Sequence, residues 1–401
     1  MTEPARTDSG PWAVFLIFLR LGLTAFGGPI AHLGYFRDEF VTRRQWLTER
    51  SYADLVALCQ FLPGPASSQV GMAIGLSRSG YAGALAAWAG FTLPSAVALI
   101  LFALGMANYP DALSSGVLHG LKVVAVAVVA HAVWGMARNL CPDTPRITVM
   151  VVVCCVALFA PSAWGPVGVM VIAAVIGLVL FKPQQVTALD PLPVSVRRRV
   201  GLFWLTLFFV LLAGLPLLTA VFPHQTLLMV ETFYRSGSLV FGGGHVVLPL
   251  LQAEVVPSGW VSNDAFLAGY GAAQAVPGPL FTFAAFLGAS MSPFPSGWLG
   301  GLICLLAIFT PSFLLIVGAL PFWESLRRNR RTQAALQGIN AAVVGLLLAA
   351  LYQPVWTSAI LAPQDFGLAL VALVALMFWK LPPWLVVVSS GVAGGLLHVA
   401  P

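Results

Sequence analysis

Residues Ile147–Phe181 run for 35 positions without a charge, and the chain holds several more stretches of the same kind. Ala82–Gly105, Gly201–Val221 and Ser296–Leu320 carry no charged residue, and Ala334–Leu351 is nearly as clear. A bilayer core about 30 Å thick is crossed by about 20 helical residues, so each run has the length of a membrane span. Over the whole chain 59% of residues are hydrophobic and only 8% charged, against roughly 25% in ordinary soluble domains. A soluble globule of 401 residues could not hide that much apolar surface. The bilayer must be the solvent.

Trp12–Phe26 is apolar except for Arg20, and Val117–Gly135 carries Lys122. PSAWGP divides the 35-residue run into a tight helical hairpin, and Phe366–Trp379 with Pro383–Ala400 reads as a second one. The N-terminus has no basic n-region and no A-x-A site follows, so the first apolar run is expected to stay as a span. Five cysteines show no CxxC or metal-ligand spacing, so no metal and no cofactor are expected. A net charge of +6 fits basic loops on the cytoplasmic side of a membrane and does not suggest a nucleic-acid partner.

Tyr52–Ser77 and Asp264–Ser290 are different, because each is cut by Pro-Gly-Pro, at Pro63-Gly64-Pro65 and Pro277-Gly278-Pro279. Proline cannot continue the helical ladder, and the second proline of each trio suits the first turn of a new helix. Each segment therefore reads as a broken helix, half the membrane on either side of the break. If each crosses once, the chain has thirteen spans. Thirteen of its twenty Lys and Arg residues then lie inside, four outside (Arg37, Arg43, Arg44, Arg50) and three within spans.

The chain is duplicated. At an offset of 215, Arg20, Phe26, Gly27, Gly28 and Glu39 fall on Arg235, Phe241, Gly242, Gly243 and Glu254. At 214, Trp46, Gln60, Pro63, Gly64, Pro65 and Gly83 fall on Trp260, Gln274, Pro277, Gly278, Pro279 and Gly297. Pro94-Ser95 then meets Pro311-Ser312, and Gly120 meets Gly338. The expected fold is an all-α polytopic membrane protein of two homologous modules, residues 1–185 and 225–401, with an extra span in the linker 186–224. Seven spans separate equivalent positions, an odd number, so the modules are inverted repeats. Such repeats with discontinuous helices build many secondary transporters. No Walker motif or soluble domain is present, which leaves a secondary carrier.

The motifs LRLGLTAFGGPIAHLG, QFLPGPASSQ, FGGGH and QAVPGP, recurring in order in both halves, resemble the chromate ion transporter family in its long two-domain form. The resemblance covers nearly the whole chain. It implies export of chromate across the inner membrane of a bacterium, conferring chromate resistance, with sulfate as the competing analogue. A carrier of sulfate or another small anion would use the same kind of site. A membrane chromate reductase would need a flavin, haem or thiol site, and none is visible. Oligomeric state is not legible. Gly244 stands where the first copy has Pro29, and His245 falls two columns before the mate of His32, which argues against a strictly symmetric site.

For the site, the residues nominate both breaks. Pro63, Gly64, Pro65 and Pro277, Gly278, Pro279, each after a glutamine (Gln60, Gln274), are expected to line the solute path, though prolines are also common as packing kinks. The half-helix after each break presents a partially positive end to an oxyanion, with Ser67, Ser68 or Thr282 hydroxyls as further donors. Arg20 and Arg235 are costly at membrane depth, by about 2.5–3.5 kcal/mol, and either attract the anion or pair with Glu39, Glu254 or Glu231. Gly27, Gly28, Pro29 and Gly242, Gly243, Gly244 either cap a span or let backbone approach a ligand. His32, His245, Glu39 and Glu254 are the candidates for coupling protons, although core histidines are the commoner case.

Overall fold

The computed structural model describes residues 10–108, 115–159, 165–182, 196–241, 243–292 and 294–399, and every regular element among them is helical. The first module comprises α1 (Pro11–Thr24), α2 (Gly28–Arg37, continued as a π-turn to Arg43), α3 (Glu49–Phe61), α4 (Ala66–Asn108), α5 (Ser115–Leu140), α6 (Thr144–Phe159) and α7 (Gly165–Leu180). After α8 (Arg198–Val221) the second comprises α9 (Gln225–Ser238), α10 (Val247–Val255), α11 (Asn263–Ala275), α12 (Phe283–Ser290) and α13 (Gly297–Ala319). It continues with the short α14 (Trp323–Arg328), α15 (Arg330–Ala350), the single turn α16 (Thr357–Ala359), α17 (Pro363–Met377) and α18 (Pro383–Val399). Among the described residues five helical stretches are long and apolar enough to cross a membrane: Ala66–Asn108, Ser115–Leu140, Arg198–Val221, Gly297–Phe322 and Arg330–Ala359.

The broken helices do not run straight through. Gly269, midway along α11, lies directly against the ring of Phe286, midway along α12, and the rings of Phe266 and Phe283 are 5.1 Å apart. Two collinear halves would hold Gly269 and Phe286 about 25 Å apart at 1.5 Å per residue. The chain instead doubles back at Pro-Gly-Pro, and α3 likewise packs against α4. The reading of each broken helix as a single crossing, and with it the count of thirteen spans, is therefore revised. The reason is local: Gly64 and Gly278 take φ of +119° and +97°, a left-handed turn that reverses the chain where the two prolines merely interrupt it.

The same reversal occurs earlier in each module, where no proline pair announced it. Phe18 of α1 stands 5.5 Å from Phe36 and 5.1 Å from Phe40, both beyond the Gly27-Gly28 turn. In the second module Arg235 of α9 bonds Glu254 of α10 across the equivalent turn. A third reversal falls inside α4, whose backbone leaves helical angles at Ser79 and Gly80, bringing Gly75 against Gly83. Its repeat mate is the turn between α12 and α13, where Gly288 meets Gly300.

Small residues let these layers close tightly, as in membrane helix pairs generally. Gly22 of α1 rests on the backbone of Gly90 and Phe91 in α4, and its mate Gly237 rests on Ile308 in α13. Two large clusters of buried apolar side chains follow, one around α1–α4 and the end of α13, the other around α5, α9–α13 and α15.

The connections sort to two ends. Arg78 lies 4.5 Å over Trp46, Trp204 at the start of α8 donates to Tyr81, and Trp323 donates to Asp54 near the start of α3. Arg146 at the start of α6 sits over Phe181 just past α7. At the other end Lys122 pairs with Asp264 at 3.0 Å, His119 with Asp365 at 2.7 Å, and Asn263 donates to Ser358.

Candidate functional site: four hairpin tips

Each module contributes two tips: residues 25–29 and 62–65 from the first, 239–241 with 243–246 and 276–282 from the second. They are bonded to one another across the modules. The backbone N–H of Gly64 donates to the carbonyl of Val240 at 2.7 Å. The N–H of Gly278 donates to the carbonyl of Ala25 at 3.0 Å. Ala25 and Val240 are repeat mates, as are Gly64 and Gly278, so the two bonds form one reciprocal pair. A carbon added to Gly244 would meet Pro29 at 3.6 Å and Leu280 at 3.7 Å, which brings the remaining turns into the same junction.

The glycines are required here on two counts. Their positive φ disfavours any side chain, and there is no room for one. A Cβ on Gly64 would stand 2.5 Å from Ser312 Oγ and 2.9 Å from Gln69 Nε2. On Gly278 it would stand 2.9 Å from Ser95 Oγ and 3.0 Å from the Phe91 carbonyl. Ser95 and Ser312 are themselves repeat mates, each following an in-helix proline, Pro94 or Pro311. Glycine comes from one module and serine from the other, twice.

Around this frame the side chains differ. Buried His32 reaches the Ala25 carbonyl through Nε2 at 3.1 Å and Ser67 Oγ through Nδ1 at 3.4 Å. A carbonyl only accepts, so Nε2 carries the hydrogen and Nδ1 faces the hydroxyl. Val247 occupies its place in the second copy, and His245 bonds instead to the Tyr270 hydroxyl at 2.7 Å. Gln69 donates to the Pro63 carbonyl at 2.8 Å, and Thr282 to the Pro279 carbonyl at 2.8 Å.

The chain matches the chromate transporter family model over residues 12–178 and 227–395, one match per module. It belongs to the chromate transporter family. A chromate transport protein of Pseudomonas aeruginosa is 28% identical over 96% of this chain and 92% of its own length. A probable chromate transport protein of Synechococcus elongatus is 28% identical over 94% and 93%. An uncharacterized transporter of Bacillus subtilis, YwrA, is 29% identical over 41% of this chain but 93% of its own length, about one module. No solved structure matches. Transporter relatives on both halves mark this family member as a transporter rather than an enzyme, and its apolar helices make it a multi-pass membrane protein.

Of the residues nominated from the sequence, the structure brings Gly64, Pro65, Ser67, His32, Gly244, Gly278, Pro279 and Thr282 to the junction or its first layer. Gly27, Gly28, Pro29, Gly243, Pro63 and Pro277 form the turns themselves. Gly242 lies outside the described residues. Gln60 is exposed, whereas the Nε2 of Gln274 is buried without a partner.

The two arginines part company. Arg235 is buried between Glu231 at 2.5 Å and Glu254 at 2.9 Å, its charge already matched. Arg20 is not brought to the tips: it is exposed on the outward stripe of α1 with Trp12, Leu16 and Leu23, and among the described residues it has no ion pair. Glu39 pairs with Arg43 at 3.0 Å and Arg44 at 2.6 Å instead of with Arg20.

The N–H groups of Gly64 and Gly278 are themselves spent on the opposite module. Gln69, Thr92, Ser95 and Ser312 were missed. The signal for two of them was present, because Pro-Ser recurs at equivalent places in both halves.

Proposed function

We propose that this protein is a secondary transporter that exports chromate across the inner membrane of a bacterium and so confers chromate resistance, with sulfate competing for the same path. The observation that carries the reading is the reciprocal bonding of the tips. Carriers built on repeats hold their solute where discontinuous segments of the two halves meet. Non-helical backbone at membrane depth persists only where protein, water or solute satisfies it. Energetics gives the direction: a dianion leaving an inside-negative cell through 100 mV gains about 4.6 kcal/mol.

The same reading includes the topology. Four hairpins enter and leave on one side, α1–α2 and α3–α4 from one face and their mates from the other. The remaining α4, α5, α6, α7, α8, α13, α15, α17 and α18 cross. Five crossings separate the modules, which leaves them inverted. Of the nineteen described Lys and Arg residues, sixteen then fall at one end, Arg20 and Arg235 lie within helices, and Lys122, inside α5, pairs with Asp264 at the other end. Arg37, Arg43, Arg44 and Arg50 join that end, so the positive-inside rule is obeyed without exception among them.

The test is transport in inverted vesicles supplied with chromate, with sulfate as competitor, under separately imposed pH gradient and potential. Chromate accumulation driven by an inside-positive potential and inhibited by sulfate is expected. Absence of accumulation under every gradient rejects the reading. Thiol labelling of single cysteines near Arg44 and at Lys380 should report the cytoplasm, and one near Asp264 the opposite side.

A further inference from the structure

Serine and threonine hydroxyls inside membrane helices ordinarily bond to a carbonyl one turn back. Ser77, Ser238, Thr219 and Thr310 do so here. Ser68, Thr92 and Ser312 do not. They are 2%, 0% and 0% exposed, and their hydroxyl oxygens have no hydrogen-bond partner. A buried polar group left unpaired is costly, and three of them in one region call for a partner of their own.

All three belong to the tips. Ser312 Oγ stands beside Gly64, and Ser95 Oγ beside Gly278. Thr92 lies one turn before Ser95, whose hydroxyl donates to the Thr92 carbonyl at 3.1 Å. Ser68 is the third residue of the helix that leaves Pro65, and its repeat mate is Thr282. Two backbone donors there are occupied, since Gly64 and Gly278 give their N–H groups to Val240 and Ala25. The cationic alternatives are absent from this spot: Arg235 is held by two carboxylates and Arg20 faces outward.

We infer that the unpartnered hydroxyls of Ser312, beside Gly64, and of Ser68 and Thr92, on the helix that leaves Pro65 and passes Gly278, are the ligands of the carried oxyanion. The inference rests on the transport reading given above and names its site. The site is a cage of neutral donors contributed by both modules. It suits a small tetrahedral oxyanion, whose several acceptor oxygens take one hydroxyl each, and it does not separate chromate from sulfate by charge. Because each glycine touches a serine of the opposite module, anything that moves one module against the other changes the distance between donors on the two sides.

The experiment measures KM for vesicle transport, and Kd for the anion on the purified full chain, in Thr92→Val, Ser312→Ala and the double variant. Ser77→Ala, whose hydroxyl bonds Ile74 away from the tips, is the control. Each single substitution should raise KM and Kd about three- to tenfold, and the pair about ten- to a hundredfold, with unchanged thermal stability. Wild-type transport with KM and Kd unchanged in the double variant overturns the hydroxyl site and leaves the transport reading standing. A loss of maximal rate or expression at unchanged KM overturns it too. If the wild type carries sulfate but not chromate, the chromate reading fails, and the same variants measured with sulfate still decide the site.

Discussion

The first hairpin of each module shows how far a duplicated sequence can diverge around an unchanged backbone. In the second module α9 packs against α13 and is covered by α8, and its Arg235 is buried between Glu231 and Glu254. In the first module α1 packs on α4 in the same way, but no described helix plays the part of α8, and the equivalent face, with Trp12, Leu16, Arg20 and Leu23, is open. Leu16 stands where the second module has Glu231, so Arg20 loses its partner and Glu39 turns to Arg43 and Arg44. What both copies keep is the frame: a left-handed glycine in the Pro-Gly-Pro turn, its N–H on the opposite module's carbonyl, and a serine behind it. Symmetry is retained in the backbone and given up in the charges.

The largest effect is expected from the shared frame. Gly64→Ala and Gly278→Ala each force a side chain into a positive-φ turn already in contact with a serine. A strained backbone of this kind costs about 1–3 kcal/mol before any clash. Transport should fall more than a hundredfold in either variant, while Gly28→Ala, at φ +78° with nothing within 4 Å, should lose far less. Equal losses at Gly28 and Gly64 in vesicle assays would mean that the turns matter only for chain reversal.

The next effect separates the modules. Arg235→Gln leaves two carboxylates buried with no positive charge between them, which costs about 3–5 kcal/mol. Low expression and a lowered Tm are expected, partly rescued by Glu231→Gln in the same chain. Full stability of Arg235→Gln would show that the trio is not a structural lock.

His32→Val makes the first module's tip like the second, where Val247 already stands. It removes bonds to Ala25 and Ser67, worth about 1 kcal/mol each. Transport should drop about three- to tenfold without change in its dependence on an imposed pH gradient. Loss of that dependence would instead make His32 a proton carrier.

These contrasts explain what the sequence could and could not reveal. Spans, duplication and both Pro-Gly-Pro turns were legible because charge, proline and glycine report local backbone constraints. The doubling back was not, since Phe18 meeting Phe36, or Gly269 meeting Phe286, is a contact at a distance that hydropathy does not encode. The four arginines that the thirteen-span reading left outside were the one symptom, and the proposed topology, in which each broken segment returns to its own face, puts them with the other basic residues. In the site, the glycines were found but the partners of their N–H groups were not, because a cross-module bond between backbones leaves no mark on either side chain. Thr92 and Gln69 had no repeated counterpart to draw attention to them: Phe309 and Phe283 stand in their places.

The smallest effect is expected at Arg20, and it tests the comparison most sharply because the sequence alone made Arg20 and Arg235 equals. Arg20 lies four residues from Leu16 and Thr24 on the open stripe of α1, where its guanidinium has no described carboxylate to lose. Exposed substitutions away from caps, cavities and buried pairs shift stability by within about 0.5 kcal/mol. Arg20→Gln should therefore insert normally, unfold at an unchanged Tm and carry chromate within about twofold of the parent rate. Its KM should also be unchanged, since the donors around Gly64 and Gly278 are untouched. A tenfold rise in KM with normal insertion would place Arg20 on the anion's route after all. The open face of α1 would then be a lateral approach to the tips that the second module, sealed by α8, no longer has.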